Sequence, residues 1–100
     1  MKCFALTYDV VPGFADRRLP FREAHLQLVR DAGTRGLLML AGALGDPPDA
    51  ALLVFRAESP APVEAFARAD PYVTEGLVTA WRVRPWNVVV GAELFPTRVF

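Results

Sequence analysis

The chain carries a single histidine, His25. An unperturbed imidazole titrates at about 6.5, so this residue type takes and gives protons near neutrality. Read as an amphipathic helix over residues 20–34, the segment places Phe21, His25, Leu28 and Ala32 on one stripe, at about 100° per residue. Glu23, Gln27, Arg30, Asp31 and Thr34 occupy the opposite, solvated arc. The imidazole therefore stands on the face meant for burial. A second polar residue breaks a second stripe: Asp70 follows Val63, Phe66 and Ala67 on the inward side of a later helix. There a carboxylate faces the negative end of the helix dipole, disfavoured by roughly 0.3–1 kcal/mol, and Pro71 disfavours further α conformation at position 70. If both helices pack on one sheet face, the two misfits meet. An aspartate accepting from one ring nitrogen orients the imidazole and stabilises its protonated form, which is the equipment of general acid–base catalysis. Each residue also has a plainer reading, His25 as a core or dimer-contact histidine and Asp70 as an Asx-type turn ahead of Pro71.

Arg22 lies at the border of the same stripe and can present a guanidinium fork to a substrate carboxylate; an ion pair with a nearby acid is equally compatible. Tyr72 and Tyr8 bring hydroxyls within reach of such a cleft, although aromatic core packing is the better expectation for each. Trp81 and Trp86 read as core or interface anchors. Arg82 and Arg84 alternate on one strand face and read as a solvated edge.

These residues need a scaffold, and the chain spells one out. Residues 2–9 alternate, with Phe4, Leu6 and Tyr8 on one face and Cys3, Ala5 and Thr7 on the other. Both faces are fairly apolar, as in a central strand covered on two sides. Val11-Pro12-Gly13 breaks the strand, and a loop is expected through Asp16, Arg17 and Arg18. The first helix ends near Gly33 or Gly36. Residues 37–43 and 51–57 read as two strands joined by the turn signal Gly45-Asp46-Pro47-Pro48-Asp49. Ser59-Pro60 predicts an N-cap and first-turn proline for the second helix. A last strand begins at Leu77 and runs to Val90, interrupted near Pro85, which suits an edge. The order βαββαβ is that of a ferredoxin-like α+β sandwich, with the first and third strands central and the second and fourth at the edges.

At 100 residues the chain makes one domain, taken as 1–90, followed by an apolar tail, 91–100, expected to pack on the body or a partner. Hydrophobic residues reach 53 %, more than so small a core absorbs. With both sheet faces apolar, the uncovered one predicts a homodimer whose sheets face each other. Eleven basic and eleven acidic residues balance without runs, so nucleic acid is not an expected partner. No apolar stretch approaches the roughly 20 residues of a membrane span, and Lys2 leads at once into a strand rather than a signal sequence. Cys3 is the one cysteine and allows no internal disulfide. A cytoplasmic location is the default. The sequence has no Gly-rich phosphate loop, no CxxC, no HExxH and no second histidine, so neither a metal ion nor a nucleotide cofactor is expected. Ser59 is the only serine and leaves no nucleophile for a Ser–His–Asp hydrolase.

The run Arg22-Glu23-Ala24-His25-Leu26, with Ala41-Gly42, Ala69-Asp70-Pro71-Tyr72 before Gly76, and Val83-Arg84-Pro85-Trp86, resembles the YciI-like (YCII-related) family from the first strand to about Val90. The resemblance implies a dimeric α+β barrel and an active site built on a His–Asp pair, which maps onto His25 and Asp70. One relative is associated with dehydrochlorination of a chlorinated hydroxymuconate, and the wider superfamily includes muconolactone isomerases and cofactor-free monooxygenases. Ala43 departs from the pattern, since many relatives carry proline after the glycine, and this is expected to alter a loop lining the cleft. Together the residues and the resemblance point to a small cofactor-independent lyase or isomerase, with His25 and Asp70 catalytic and Arg22 and Tyr72 binding a small, anionic organic substrate. The alternative is a non-catalytic small-molecule-binding or accessory dimeric module.

Overall fold

Alternation in β1 (Lys2–Val10) turns Phe4, Leu6 and Tyr8 into the core and leaves Ala5 and Thr7 half-buried on the other face. The structure, a computed structural model, describes residues 1–91. With β2 (Leu38–Leu44), β3 (Ala50–Ala57) and β4 (Val78–Pro85), β1 forms an antiparallel sheet in the order β2-β3-β1-β4. The first and third strands are thus central, as the order βαββαβ predicts. The edge strand β4 ends at Pro85, opposite Phe4, instead of continuing to residue 90; proline has no N–H to extend a ladder.

One face is closed by the helices α2 (Arg22–Thr34) and α3 (Ala61–Ala69). Register sets Phe4 opposite Phe55, Leu6 opposite Leu53 and Tyr8 opposite Ala51, and Val63, Phe66 and Ala32 join them in one core. Phe66 meets Phe55 edge-on, ring centroids 5.1 Å apart. The α2 chain reverses through Gly36, whose φ of +74° is the left-handed conformation glycine adopts most readily.

Three local expectations change. The loop expected at 16–18 is a short helix, α1 (Phe14–Arg17), followed by a 3-10 turn (Leu19–Phe21) that holds Pro20, so α2 begins at Arg22. Phe14, buried in the core, holds α1 in place. Ser59 does not cap α3. The cap is Pro60, already in the α conformation, and its carbonyl accepts from the N–H groups of Val63 and Glu64. A fourth helical turn, α4 (Pro71–Thr74), follows α3 directly.

The second sheet face carries Leu40 opposite Val54 and Gly42 opposite Leu52. Leu40 is 60 % exposed and Leu44 49 %, so the excess apolar residues lie here. Arg82 and Arg84, paired with Thr7 and Ala5, are exposed along the outer edge. The expected packing of the tail falls on residues 92–100, outside the described residues.

Candidate active site

Asp70 resolves its conflict with the helix dipole by leaving the helix. It ends α3 in an extended conformation, φ −69° and ψ 122°, and at once caps α4, its Oδ1 accepting from the Tyr72 N–H at 3.0 Å. The Asx-type role and the pairing role coexist, because the same Oδ1 accepts from His25 Nδ1 at 2.9 Å. Oδ2 accepts from the Tyr8 hydroxyl at 2.7 Å. Asp70 is fully buried and is the one buried charged residue among the described residues. Three donors converge on it, and this compensates the cost of removing a carboxylate from water. An ionised carboxylate only accepts, so the shared proton sits on Nδ1 of His25.

That bond leaves Nε2 as the free ring nitrogen. The His25 side chain is 15 % exposed and forms part of a cleft of about 180 Å³ between α2 and the sheet. Its ring stacks on Tyr72, centroids 3.9 Å apart and planes 13° apart, and Tyr72 in turn meets Phe14 edge-on at 5.2 Å. A ring bonded at one nitrogen and stacked on one face has little freedom to turn. Ala41, Gly42 and Ala43 line the opposite wall. Position 43 lies in strand β2, within the strand read over residues 37–43, so the departure at Ala43 alters a strand wall of the cleft and not a loop.

Arg22 and Tyr72, both expected at a substrate subsite, line this cleft. Among the described residues Arg22 has no ion pair, unlike Arg30, which holds Glu23 at 2.7 Å. Tyr72 is both a packed aromatic and a cleft residue, since its hydroxyl is buried without a hydrogen-bond partner. Tyr8 was expected to pack first and to offer its hydroxyl second; it does both, since a buried phenol needs an acceptor and Asp70 supplies it. Sequence reasoning missed one residue. Arg18, placed in a loop, lies on the cleft with its guanidinium carbon 5.3 Å from the centre of the Phe14 ring.

Burial holds both phenols above their ordinary value of 10, Tyr8 further because the Asp70 charge and hydrogen bond oppose its ionisation. Arg22 and Arg18 partly counter the rise at Tyr72. Below pH 10 the folded and unfolded chains both keep these protons. Above it the unfolded chain releases them first, so stability falls as pH rises through and beyond about 10. These are the only two tyrosines, so tyrosinate absorbance is a direct monitor. The expected result is an alkaline titration in which absorbance rises only with unfolding, and Tyr8→Phe flattens the fall of melting temperature with pH; tyrosinate forming in the folded protein near pH 10 would contradict it.

Among the described residues no group of three His, Cys, Asp or Glu side chains is placed to hold a metal ion, and no helix is long and apolar enough to cross a membrane. The family model of the YCII-related domain matches residues 1–87. No curated protein matches the chain significantly. Among solved structures, a 5-chloro-2-hydroxyhydroquinone dehydrochlorinase from Burkholderia phenoliruptrix AC1100, in complex with 2,5-dihydroxybenzoquinone, superposes with a TM-score of 0.71 at 24 % identity, covering 85 % of this chain and 93 % of that one. An antibiotic biosynthesis monooxygenase gives 0.54 at 15 % identity, over 90 % of this chain and all of that one. A protein from Agrobacterium tumefaciens gives 0.51 at 18 % identity, over 89 % and 94 %. At these identities the likeness establishes the ferredoxin-like α+β fold.

Proposed function

The chain belongs to the YCII-related domain family, and from that membership we propose that it is a small cofactor-independent lyase or isomerase acting on a small anionic organic substrate. The observation that carries the reading is the 2.9 Å bond between His25 Nδ1 and buried Asp70 at the wall of a cleft. Nε2 removes a proton from a carbon beside a carbonyl or carboxylate, and Asp70 stabilises the imidazolium that results. Arg22 and the Tyr72 hydroxyl hold the oxygen on which negative charge gathers. Where the neighbouring carbon bears chlorine, the electron pair of the broken C–H bond forms the new double bond as chloride leaves. His25 then returns its proton to water, and the net loss is HCl. Where no leaving group is present, the proton returns to another carbon and the outcome is isomerisation.

The named substrate of the dehydrochlorinase neighbour is a chlorinated ring, in place of the open-chain hydroxymuconate expected from the family resemblance. On such an aromatic ring the step runs through a keto tautomer: one hydroxyl proton moves to the chlorine-bearing carbon, Nε2 takes a second hydroxyl proton, and that O–H electron pair, conjugated through the ring, expels chloride to leave a hydroxyquinone. The net loss is again HCl, and this is the reaction to try first. The proposal extends to a cytoplasmic homodimer joined through the face of Leu40, Leu44 and Leu52, since association would remove that apolar surface from water. The purified protein is expected to release chloride from 5-chloro-2-hydroxyhydroquinone faster than buffer does, and to elute with twice the 11.0 kDa chain mass by light scattering. No chloride release, together with no exchange of solvent deuterium into the ring, would overturn the catalytic reading; a monomer would overturn the assembly.

A further inference from the structure

We infer that Tyr8, a core residue of β1, is a positioning residue for His25. By holding Oδ2 of Asp70, its hydroxyl sets how the carboxylate meets the imidazole and how firmly Nε2 keeps a proton it has taken. The inference rests on the proposed role of His25 as a base, and it extends that site from a dyad to a third residue on a different element.

Packing alone does not call for the hydroxyl. Tyr8 is 1 % exposed, and a phenylalanine would bury the same ring. Its neighbours in register, Ala51 and Trp81, offer no side-chain acceptor. The hydroxyl instead reaches Oδ2 of Asp70 at 2.7 Å. The other carboxylate oxygen is engaged differently: Oδ1 accepts from His25 Nδ1 at 2.9 Å and from the Tyr72 N–H at 3.0 Å. A phenol at one end and a backbone donor at the other therefore fix the plane of the carboxylate, and Oδ1 is held toward the ring.

Asp70 has two opposed demands to meet. It must be anionic to hold the Nδ1 proton, yet an anion that attracts the imidazolium too strongly leaves Nε2 protonated at neutral pH, unable to act as a base. A hydrogen bond donated to the carboxylate spreads its charge and favours the ionised form. Tyr8 supplies that bond and adds no charge of its own. Burial and the Asp70 charge hold the phenol well above its ordinary value of 10, so Tyr8 stays a donor throughout and the shared proton stays on Nδ1. The other groups around the ring keep one charge state near neutrality. Arg22 and Arg18 remain cationic, and Tyr72, stacked on the ring, keeps its proton. The strands β2 and β3 line the cleft with Ala41, Gly42, Ala43, Ala51 and Leu53, none of them ionisable. Asp70 is thus the anion that governs protonation of the ring, and Tyr8 acts on it from Oδ2.

The test is an NMR titration of the His25 ring beside the pH dependence of chloride release from 5-chloro-2-hydroxyhydroquinone. In Tyr8→Phe the carboxylate charge concentrates toward the imidazole, so the midpoint of the ring titration is expected to rise by about half a pH unit to one unit. The acid limb of kcat/KM, where activity is lost as the base is protonated, should move up by the same amount, with the high-pH plateau within about threefold of wild type. A phenol that only packs would lower the melting temperature and leave midpoint and limb in place, which would overturn the proposal, as would a midpoint that falls. A second protein approaches from the other side with the hydroxyl kept: Tyr72→Phe made with 3-fluorotyrosine, which labels position 8 alone because the chain has two tyrosines. Ring fluorine strengthens the phenol as a donor, so the midpoint should fall relative to unlabelled Tyr72→Phe. A rise or no change there would overturn the proposal even if Tyr8→Phe did not fold. Midpoints that move as expected in a protein releasing no chloride would sink the catalytic reading alone. Midpoint and limb unmoved in an active enzyme would sink the role of Tyr8 and leave the catalytic reading standing.

Discussion

Asp70→Ala is expected to destabilise the fold by about 3–5 kcal/mol, the range for breaking a buried, fully bonded charge. The substitution removes the acceptor of three donors from three different elements: the Tyr8 hydroxyl on β1, the Tyr72 N–H opening α4 and the His25 ring on α2. Tyr8 is almost wholly enclosed, so its hydroxyl cannot turn to water. The bend from α3 into α4 also loses its cap, normally worth about 1 kcal/mol. For a domain of this size each kcal/mol lowers the melting temperature by about 4–8 °C, so the variant should melt well over ten degrees below wild type. Asp70→Asn keeps the shape and one acceptor oxygen but turns an amide N–H₂ toward a donor, and should fall in between. Thermal melts followed by circular dichroism check the order. A loss under about 1 kcal/mol for Asp70→Ala would show that the network contributes little.

His25→Gln is expected to behave in the opposite way. Glutamine can still donate an amide hydrogen to Asp70 Oδ1, so stability should change by only about 1 kcal/mol. It has no basic nitrogen, so chloride release should fall by about 10²–10⁴-fold, the usual contribution of a positioned acid–base group. The loss should appear in kcat and kcat/KM alike with KM little changed, because Nε2 acts on the transition state and not on the oxygens that anchor the substrate. Steady-state kinetics with a parallel melt separates the cases. A lowered melting temperature with turnover intact would favour the binding-module alternative, in which the pair only ties α2 to α3.

What made the fold legible was punctuation and alternation. Gly36, the Gly45–Asp49 turn and Pro85 mark element ends that the structure keeps, and the order βαββαβ with right-handed crossovers places β1 and β3 in the centre. His25 and Asp70 were legible because each is polar on an otherwise apolar stripe, and they lie in bonding contact. Tyr8 was harder. Alternation puts it on the inward face, but only the strand order and the angle of α3 decide which acceptor its hydroxyl meets. Arg18 follows a four-residue helix too short to show any period, whose position depends on Phe14 entering the core. Ser59 misled because Pro60 already supplies helical backbone and shifts the cap by one residue.

Nitrogen-15 spectroscopy of the imidazole side chain bears on the dyad without any substrate. His25 is the chain's one histidine, so its signals need no assignment. In the neutral ring the bond to Asp70 places the proton on Nδ1 and leaves Nε2 bare toward the cleft, whereas a free histidine favours a proton on Nε2. The expected spectrum shows a protonated Nδ1 and an unprotonated Nε2, with the preference lost in Asp70→Asn. A neutral ring protonated at Nε2 in the wild-type protein would contradict the dyad, because Asp70 would then not hold His25 as a base.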